Sequence, residues 1–268
     1  MVAGVDLVVT DLDGSLWSDP EAVHQATVAA WRELERRGIP VLVATGRRVG
    51  STREPLRRLG FAPPAVTMNG ALVLELGSGA RYHRHPYTAE DARIVLDAFR
   101  AAGLEPCVYV DHSRFDVFVG ERPSTHPAHM RSFGPSVDRA DLDEIVAAVP
   151  VLMFGVMGRP REELNVVAGA LGNAAETHIA PSNYGGHTCT VTPPGLSKWI
   201  GVVAYCTQVG LDPARALAIG DGPNDIELLT AAAVAVVPSD ACAGALALAD
   251  HVVGSPRDGG WAQILDLV

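Results

Sequence analysis

Val8-Val9-Thr10-Asp11-Leu12-Asp13-Gly14-Ser15 is an apolar run ending in two carboxylates one residue apart, followed by a turn glycine. The run reads as a buried strand, Val5 to Thr10. Two acids at its C-terminal tip do nothing for folding, because like charges repel and burial of each is costly. The pair makes sense where a divalent cation sits between the carboxylates and a second anion approaches from the other side. That pattern implies metal-assisted chemistry on a phosphate.

Working outward, the first eighty or so residues alternate strand and helix. Ser18-Asp19-Pro20-Glu21 has the form of a helix start, with a cap, an N1 proline and an early acid. Val23, Ala26, Ala30, Trp31 and Leu34 then recur at helical spacing, and Gly38 is the stop. Ile39 to Ala44 is a second buried strand that breaks at Thr45-Gly46-Arg47. A βαβ unit of this kind implies parallel strands and a right-handed crossover. A short helix (Ser51 to Leu59), a strand ending at Asn69-Gly70, and a hairpin around Gly77-Ser78-Gly79 follow.

From Tyr87 to Tyr184 the grammar changes to helices and paired strands, with an irregular polar stretch, Glu121 to Arg139. Alternation then returns: a helix from Lys198 to Val209, the strand Ala216 to Ile219, and Gly220-Asp221-Gly222-Pro223-Asn224-Asp225. The expected fold class is α/β: a discontinuous parallel-sheet core, residues 1–84 and 187–268, carrying an inserted α+β cap, residues 85–186.

Ligands of open parallel sheets bind beyond the carboxyl ends of the strands. Asp11/Asp13, Thr45-Gly46-Arg47, Asn69-Gly70 and Asp221/Asn224/Asp225 all follow expected core strands, so the fold brings them to one edge. The parts divide by chemistry. Asp11 is the candidate nucleophile, giving an aspartyl-phosphate. Asp13 is placed to protonate the leaving oxygen and later to deprotonate water. Gly14 allows a tight turn whose amides face the phosphate. Asp221 and Asp225 complete with Asp11 a hard, oxygen-rich site that suits Mg²⁺. Thr45 and Lys198 hold phosphoryl oxygens, where charge must be stabilised. Arg47 either contacts phosphate or ties down the following helix.

Taken together, Asp11-Leu12-Asp13-Gly14-Ser15, Thr45-Gly46-Arg47, Lys198 and Gly220 to Asp225 resemble the four motifs of the haloacid dehalogenase (HAD) superfamily. The Asn69-Gly70-Ala71 segment and the large insert before the lysine resemble its Cof-type branch, whose cap is of the C2B kind. The resemblance implies a Mg²⁺-dependent phosphatase with a Rossmann-like core. It implies that Asp11 is nucleophile and metal ligand, and that Asp13 is acid/base and a metal ligand through its backbone carbonyl. It places Thr45, Lys198 and Asn224 at the phosphate, Asp221 on the metal and Asp225 behind it; Gly46 and Arg47, next to Thr45, are further candidates for the phosphate. Val237-Pro238-Ser239-Asp240-Ala241 stands where many Cof-type members have Met-Gly-Asn-Ala.

The remaining composition narrows the class. A chain of 268 residues with 48% hydrophobic and 19% charged residues is globular. Its net charge of −10 argues against a nucleic-acid partner and leaves room for a small phosphorylated substrate. Cys107, Cys189, Cys206 and Cys242 lack metal-ligand spacing and read as reduced thiols. No basic n-region and apolar h-region precede Asp11, and no apolar run reaches membrane length, so the expected location is cytoplasmic, without a membrane partner. The histidines lack paired-ligand spacing. His112, Arg114, His126, His129 and Arg131 fall in cap loops, and Asn183, Tyr184 and His187 where the cap returns to the core. Two alternatives share the motifs: a phosphotransferase or mutase with the same aspartyl chemistry, and a catalytically silent HAD-fold binding protein.

Overall fold

The computed structural model describes residues 4–112 and 114–268. The chain runs β1 (Leu7–Thr10), α1 (Gln25–Arg37), β2 (Val41–Ala44), α2 (Val49–Arg58), β3 (Pro64–Thr67), β4 (Leu72–Glu75) and β5 (Arg81–Arg84). There follow α3 (Ala89–Ala101), β6 (Cys107–Val110), β7 (Val117–Val119), α4 (Pro127–Ser132), β8 (Val137–Arg139), α5 (Leu142–Ala148), β9 (Val151–Arg159), α6 (Arg161–Leu171), β10 (Glu176–Pro181) and β11 (His187–Thr192). It ends with α7 (Lys198–Val209), β12 (Ala216–Ile219), α8 (Ile226–Ala231), β13 (Val234–Pro238), α9 (Ala243–Leu246) and β14 (His251–Val253).

Two compact units emerge. The first comprises residues 1–47, 51–84 and 197–268, and the second residues 48–50 and 85–196. The first is built on an eight-stranded sheet ordered β14-β13-β12-β1-β2-β3-β4-β5. Its strands are parallel from β14 to β3, and β4 and β5 run antiparallel. The chain leaves β1 toward β2 and later returns to β12 on β1's other side, which makes the β1/β12 boundary the topological switch point.

Both faces are covered over the central strands β1, β2, β12 and β13, which are buried along their whole length and so read as nearly unbroken apolar runs. On one face Val202, Tyr205 and Cys206 of α7 and Leu228 and Leu229 of α8 pack with Leu7, Val9, Leu42, Ala44, Ala216 and Ala218. Elsewhere in the unit Trp31 of α1 stacks between Phe61 and Trp261, at 4.7 and 5.8 Å between ring centroids. Trp261 also donates from Nε1 to Thr10 Oγ1 (3.0 Å), anchoring the last residue of β1 before Asp11.

Helix α1 begins later than its apparent start signal. The Asp19 carboxylate accepts from Glu21 N–H and its carbonyl from Ala22 N–H, so residues 19–22 close as a turn. His24 caps the helix instead, accepting from Ala26 N–H on Nδ1.

The second unit carries a six-stranded sheet ordered β10-β11-β9-β6-β7-β8, antiparallel except for β7 with β8. Helices α3, α5 and α6 cover one face through Val95, Leu96, Phe99, Leu142, Val146, Leu164 and Val167 against Val108, Phe154, Val156, Cys189 and Val191. The expected return to the core at residue 187 falls inside this unit. His187–Thr192 pairs with both β10 and β9, and the first unit resumes only at Ser197. Glu121 to Arg139, expected to be irregular, contains α4 and β8.

Candidate active site

The carboxyl ends of β1 and β12 bring together three of the expected acids. Carboxylate oxygens of Asp11, Asp221 and Asp225 lie within 4.8 Å of one another. Lys198 enters from the first turn of α7, where Ser197 caps the helix by accepting from Ile200 N–H. Its ammonium donates to Asp11 Oδ1 (2.8 Å) and to Asp225 Oδ1 (2.7 Å), and the lysine is 1% exposed. The second oxygen of Asp225 accepts from the backbone N–H groups of Asp221 (3.1 Å) and Gly222 (3.0 Å). Asp225 is therefore occupied in holding the loop and the lysine. Ser15 donates to Asp221 Oδ1 (2.9 Å).

Gly14 is needed at its position for two reasons. Its φ is +83°, and a Cβ there would lie 2.3 Å from Asp221 Oδ2. The glycine thus lets the loop after β1 approach the acid after β12.

The electrostatics are unbalanced. Burial pushes the Asp11 carboxyl well up; Lys198 opposes this, and Asp225, Asp221 and Asp13 add to it. Asp221 is raised to about 6, first by burial and then by Asp225, with Ser15 and Lys198 working the other way. Burial disfavours the Lys198 ammonium, yet Asp11 and Asp225 outweigh it and hold its pKa up. Three carboxylates thus face one ammonium. A hard divalent cation fits this donor set, which is all oxygen and carries uncompensated negative charge. The residues present suit Mg²⁺.

Asp13 lies apart from that group. Its carboxylate receives Arg47 Nε on Oδ2 and Nη2 on Oδ1 (2.5 Å each), and Trp17 Nε1 on Oδ1 (3.1 Å). Thr45 is buried; its Oγ1 accepts from Arg47 N–H (3.2 Å), and Gly46 lies beside Asn69. Asn224 donates from Nδ2 to Asn69 Oδ1 (3.0 Å).

Sequence reading missed the roles of Asn69 and Trp17. Met68 and Asn69 both adopt positive φ (+51° and +52°) while buried, an uncommon conformation for such side chains. Gly70, at φ +107°, abuts α7 so closely that a Cβ would sit 2.2 Å from the Ser197 carbonyl oxygen. The polar pair after a strand was the only signal of this brace. Nothing in the sequence singled out Trp17.

The loop after β13, which departs from the Cof-type pattern, is tied to the site through Cys242 N–H, which donates to the Asp221 carbonyl (2.9 Å).

Of the histidines expected in loops of the second unit, His129 is buried, bonded to Thr125 Oγ1 (2.8 Å) and set edge-on to Phe133. His126 caps α4 and stacks on Tyr184. His112 accepts from Arg114 N–H and Phe115 N–H, and the Arg114 guanidinium lies over Phe115. Arg131 and Asn183 are exposed, and Trp199 packs at the edge of the first unit's core. The four cysteines are free thiols. Among the described residues no helix is long and apolar enough to cross a membrane.

Known proteins resemble this chain along most of its length. A phosphoglycolate phosphatase of Methanopyrus kandleri is 28% identical over 97% of this chain and 95% of its own. An HMP-PP phosphatase of Cronobacter sakazakii is 27% identical, covering 90% of this chain and 87% of its own. The solved structure of a HAD-superfamily phosphatase from Bacteroides thetaiotaomicron superposes with a TM-score of 0.80 at 21% identity, covering 98% of this chain and 95% of that one. The family profile of haloacid dehalogenase-like hydrolases matches residues 8–265. The chain belongs to the haloacid dehalogenase-like hydrolases and is a phosphatase of their Cof-type branch.

Proposed function

We propose that the protein is a Mg²⁺-dependent phosphomonoester hydrolase of the cytoplasm, acting on a small phosphorylated metabolite through an aspartyl-phosphate on Asp11. The observation that carries this reading is Asp11 at the switch point of a parallel sheet, with one oxygen held by a buried lysine and Asp221 alongside. The relatives named for phosphoglycolate and HMP-PP support a small phosphorylated substrate. The net charge of −10 supports a partner other than nucleic acid.

The chain's residues divide the work. Lys198 fixes Asp11 Oδ1, so that the other carboxylate oxygen attacks phosphorus in line with the leaving oxygen. Asp13 hands a proton to that oxygen as the P–O bond breaks. It then takes one from the water that attacks the aspartyl-phosphate, which regenerates Asp11 and releases inorganic phosphate. Thr45, the Gly46 backbone, Asn224 and Lys198 donate to phosphoryl oxygens. Asp11, Asp221 and the Asp13 carbonyl would hold Mg²⁺, with Asp225 supporting Asp221 and the lysine. When bound, the ion neutralises charge shared between the carboxylates and the phosphoryl group. The second unit serves as the cap that discriminates among substrates.

The test is phosphate release from p-nitrophenyl phosphate and a panel of sugar phosphates, phosphoglycolate and phosphorylated cofactors, with Mg²⁺ and with EDTA. Asp11→Asn should lose at least about a thousandfold in kcat. Activity that survives both Asp11→Asn and EDTA would overturn the reading. Phosphate moving to an added sugar faster than to water would assign a transferase.

A further inference from the structure

We propose that Arg47, supported by Trp17, is a positioning residue that sets the orientation of Asp13 and does not bind the substrate phosphate. The inference rests on the reading of Asp13 as the proton-transfer residue. Arg47 presents its Nε/Nη2 edge to both oxygens of Asp13, a bidentate fork that fixes the plane of the carboxylate as well as its place. Its remaining nitrogen, Nη1, donates to the Ser51 carbonyl (3.0 Å). All three guanidinium nitrogens are therefore engaged by the protein.

Trp17 adds a third donor and braces the arginine. Its indole N–H donates to the same Asp13 oxygen that receives Arg47 Nη2, and its ring lies under the guanidinium, 5.5 Å from Cζ. The indole is 1% exposed. Its backbone is folded back on the nucleophile loop, with Gly14 N–H donating to the Trp17 carbonyl and Trp17 N–H to the Leu12 carbonyl. Arg47 is as firmly seated, with its N–H on Thr45 Oγ1 and its carbonyl accepting from Met68 N–H.

The Asp13 side chain is 40% exposed, so without these donors it would rotate among rotamers. The clamp selects one. A merely structural ion pair on so exposed a carboxylate would not need three converging donors from two loops.

A phosphate ligand and a positioning residue leave different kinetic signatures. Proton transfer matters for an alkyl phosphate, whose leaving alkoxide is strongly basic, and little for p-nitrophenyl phosphate, whose leaving group departs as a stable anion. Arg47→Ala should lower kcat on a sugar phosphate turned over by the wild type by roughly 10- to 100-fold, part of what a general acid supplies. KM should stay within about twofold and p-nitrophenyl phosphate hydrolysis within about threefold, the pattern of an interaction made in the transition state only. Added guanidinium should restore part of the sugar phosphate rate, and Arg47→Lys and Trp17→Phe should fall between wild type and Arg47→Ala. In an Asp13→Asn background, Arg47→Ala should cost nothing further, because the group it positions is already gone.

A KM increase of equal size on both substrates, or losses that add in the double variant, would overturn the proposal in favour of phosphate binding. If Asp13→Asn separates the two substrates and neither Arg47→Ala nor Arg47→Lys does, the positioning role fails alone. If Asp13→Asn does not separate them, the proton-transfer reading of Asp13 fails, and this proposal with it.

Discussion

Replacing Lys198 by methionine keeps the aliphatic stem and removes one charge from the centre of the site. The ammonium is shared by Asp11 at 2.8 Å and Asp225 at 2.7 Å, and the three side chains are at most 9% exposed. Its loss strands two buried carboxylates, and breaking a buried ion pair by deleting one partner costs about 3–5 kcal/mol. All four tryptophans, Trp17, Trp31, Trp199 and Trp261, lie in the first unit, so urea unfolding followed by tryptophan fluorescence reads that unit selectively. In EDTA the variant's first unit should be less stable than the wild type's by about that amount. Mg²⁺ should then recover more in the variant than in the wild type, because three carboxylates without the lysine hold a cation more tightly. At a hundredfold excess over Kd, binding alone contributes about 2.7 kcal/mol. Activity should fall by about 10²–10³ even at saturating Mg²⁺, since a donor to the transition-state charge is lost. Equal stability of variant and wild type in EDTA would refute this account of the lysine, as would an equal gain from Mg²⁺ in both.

Two further outcomes follow from the geometry. Gly70→Ala places a Cβ 2.2 Å from the Ser197 carbonyl oxygen at a φ of +107°, so the start of α7 must shift. A stability loss of about 2–4 kcal/mol and a fall in kcat larger than any change in KM are expected, from unfolding and steady-state kinetics. In the second unit, burial, with Arg48 and His126 nearby, pushes the His129 imidazole down to about 4. An unfolded histidine takes up its proton near 6.5, so between those values the unfolded chain binds more protons. Stability from this residue is thus complete above about pH 6.5 and is lost as pH falls toward 4, by about 3 kcal/mol in full. Amide exchange in β6 and β9, compared between wild type and His129→Gln at pH 4.5 and 7, measures it; a parallel pH response in both would exclude His129 as its source.

The end of the sheet that carries the candidate site was legible because its residues contradict folding. Acids at the tips of β1 and β12 and a lysine opening an apolar helix have no packing role, so they stand out from their surroundings. The β10–β11 hairpin was hidden for the opposite reason. In His187-Thr188-Cys189-Thr190-Val191-Thr192 only Cys189 and Val191 are apolar, and Thr190 and Thr192 are buried as well, so the composition understates how deeply the strand lies. The start of α1 was misplaced because Asp19 uses its carboxylate to close a turn on Glu21, which competes with capping. The Arg47–Asp13 clamp joins residues 34 apart, and no local pattern marks it.

The strained segment Met68-Asn69 explains how four separate loops keep one geometry. Positive φ at two consecutive non-glycine residues costs about 1–3 kcal/mol each. The conformation persists because the segment is tethered on every side. Met68 N–H donates to the Arg47 carbonyl and Asn69 N–H to the Thr45 carbonyl, which binds it to the loop after β2. The Asn69 side chain accepts from Asn224, which binds it to the loop after β12, and Gly70 rests on the residue that caps the lysine helix. Relaxing Asn69 to an ordinary conformation would turn its carboxamide away from Asn224 and its N–H from Thr45 together. The strain is thus a consequence of joining the loop after β2, the loop after β12 and the cap of the lysine helix through the adjacent buried residues Asn69 and Gly70, which fixes these segments relative to one another.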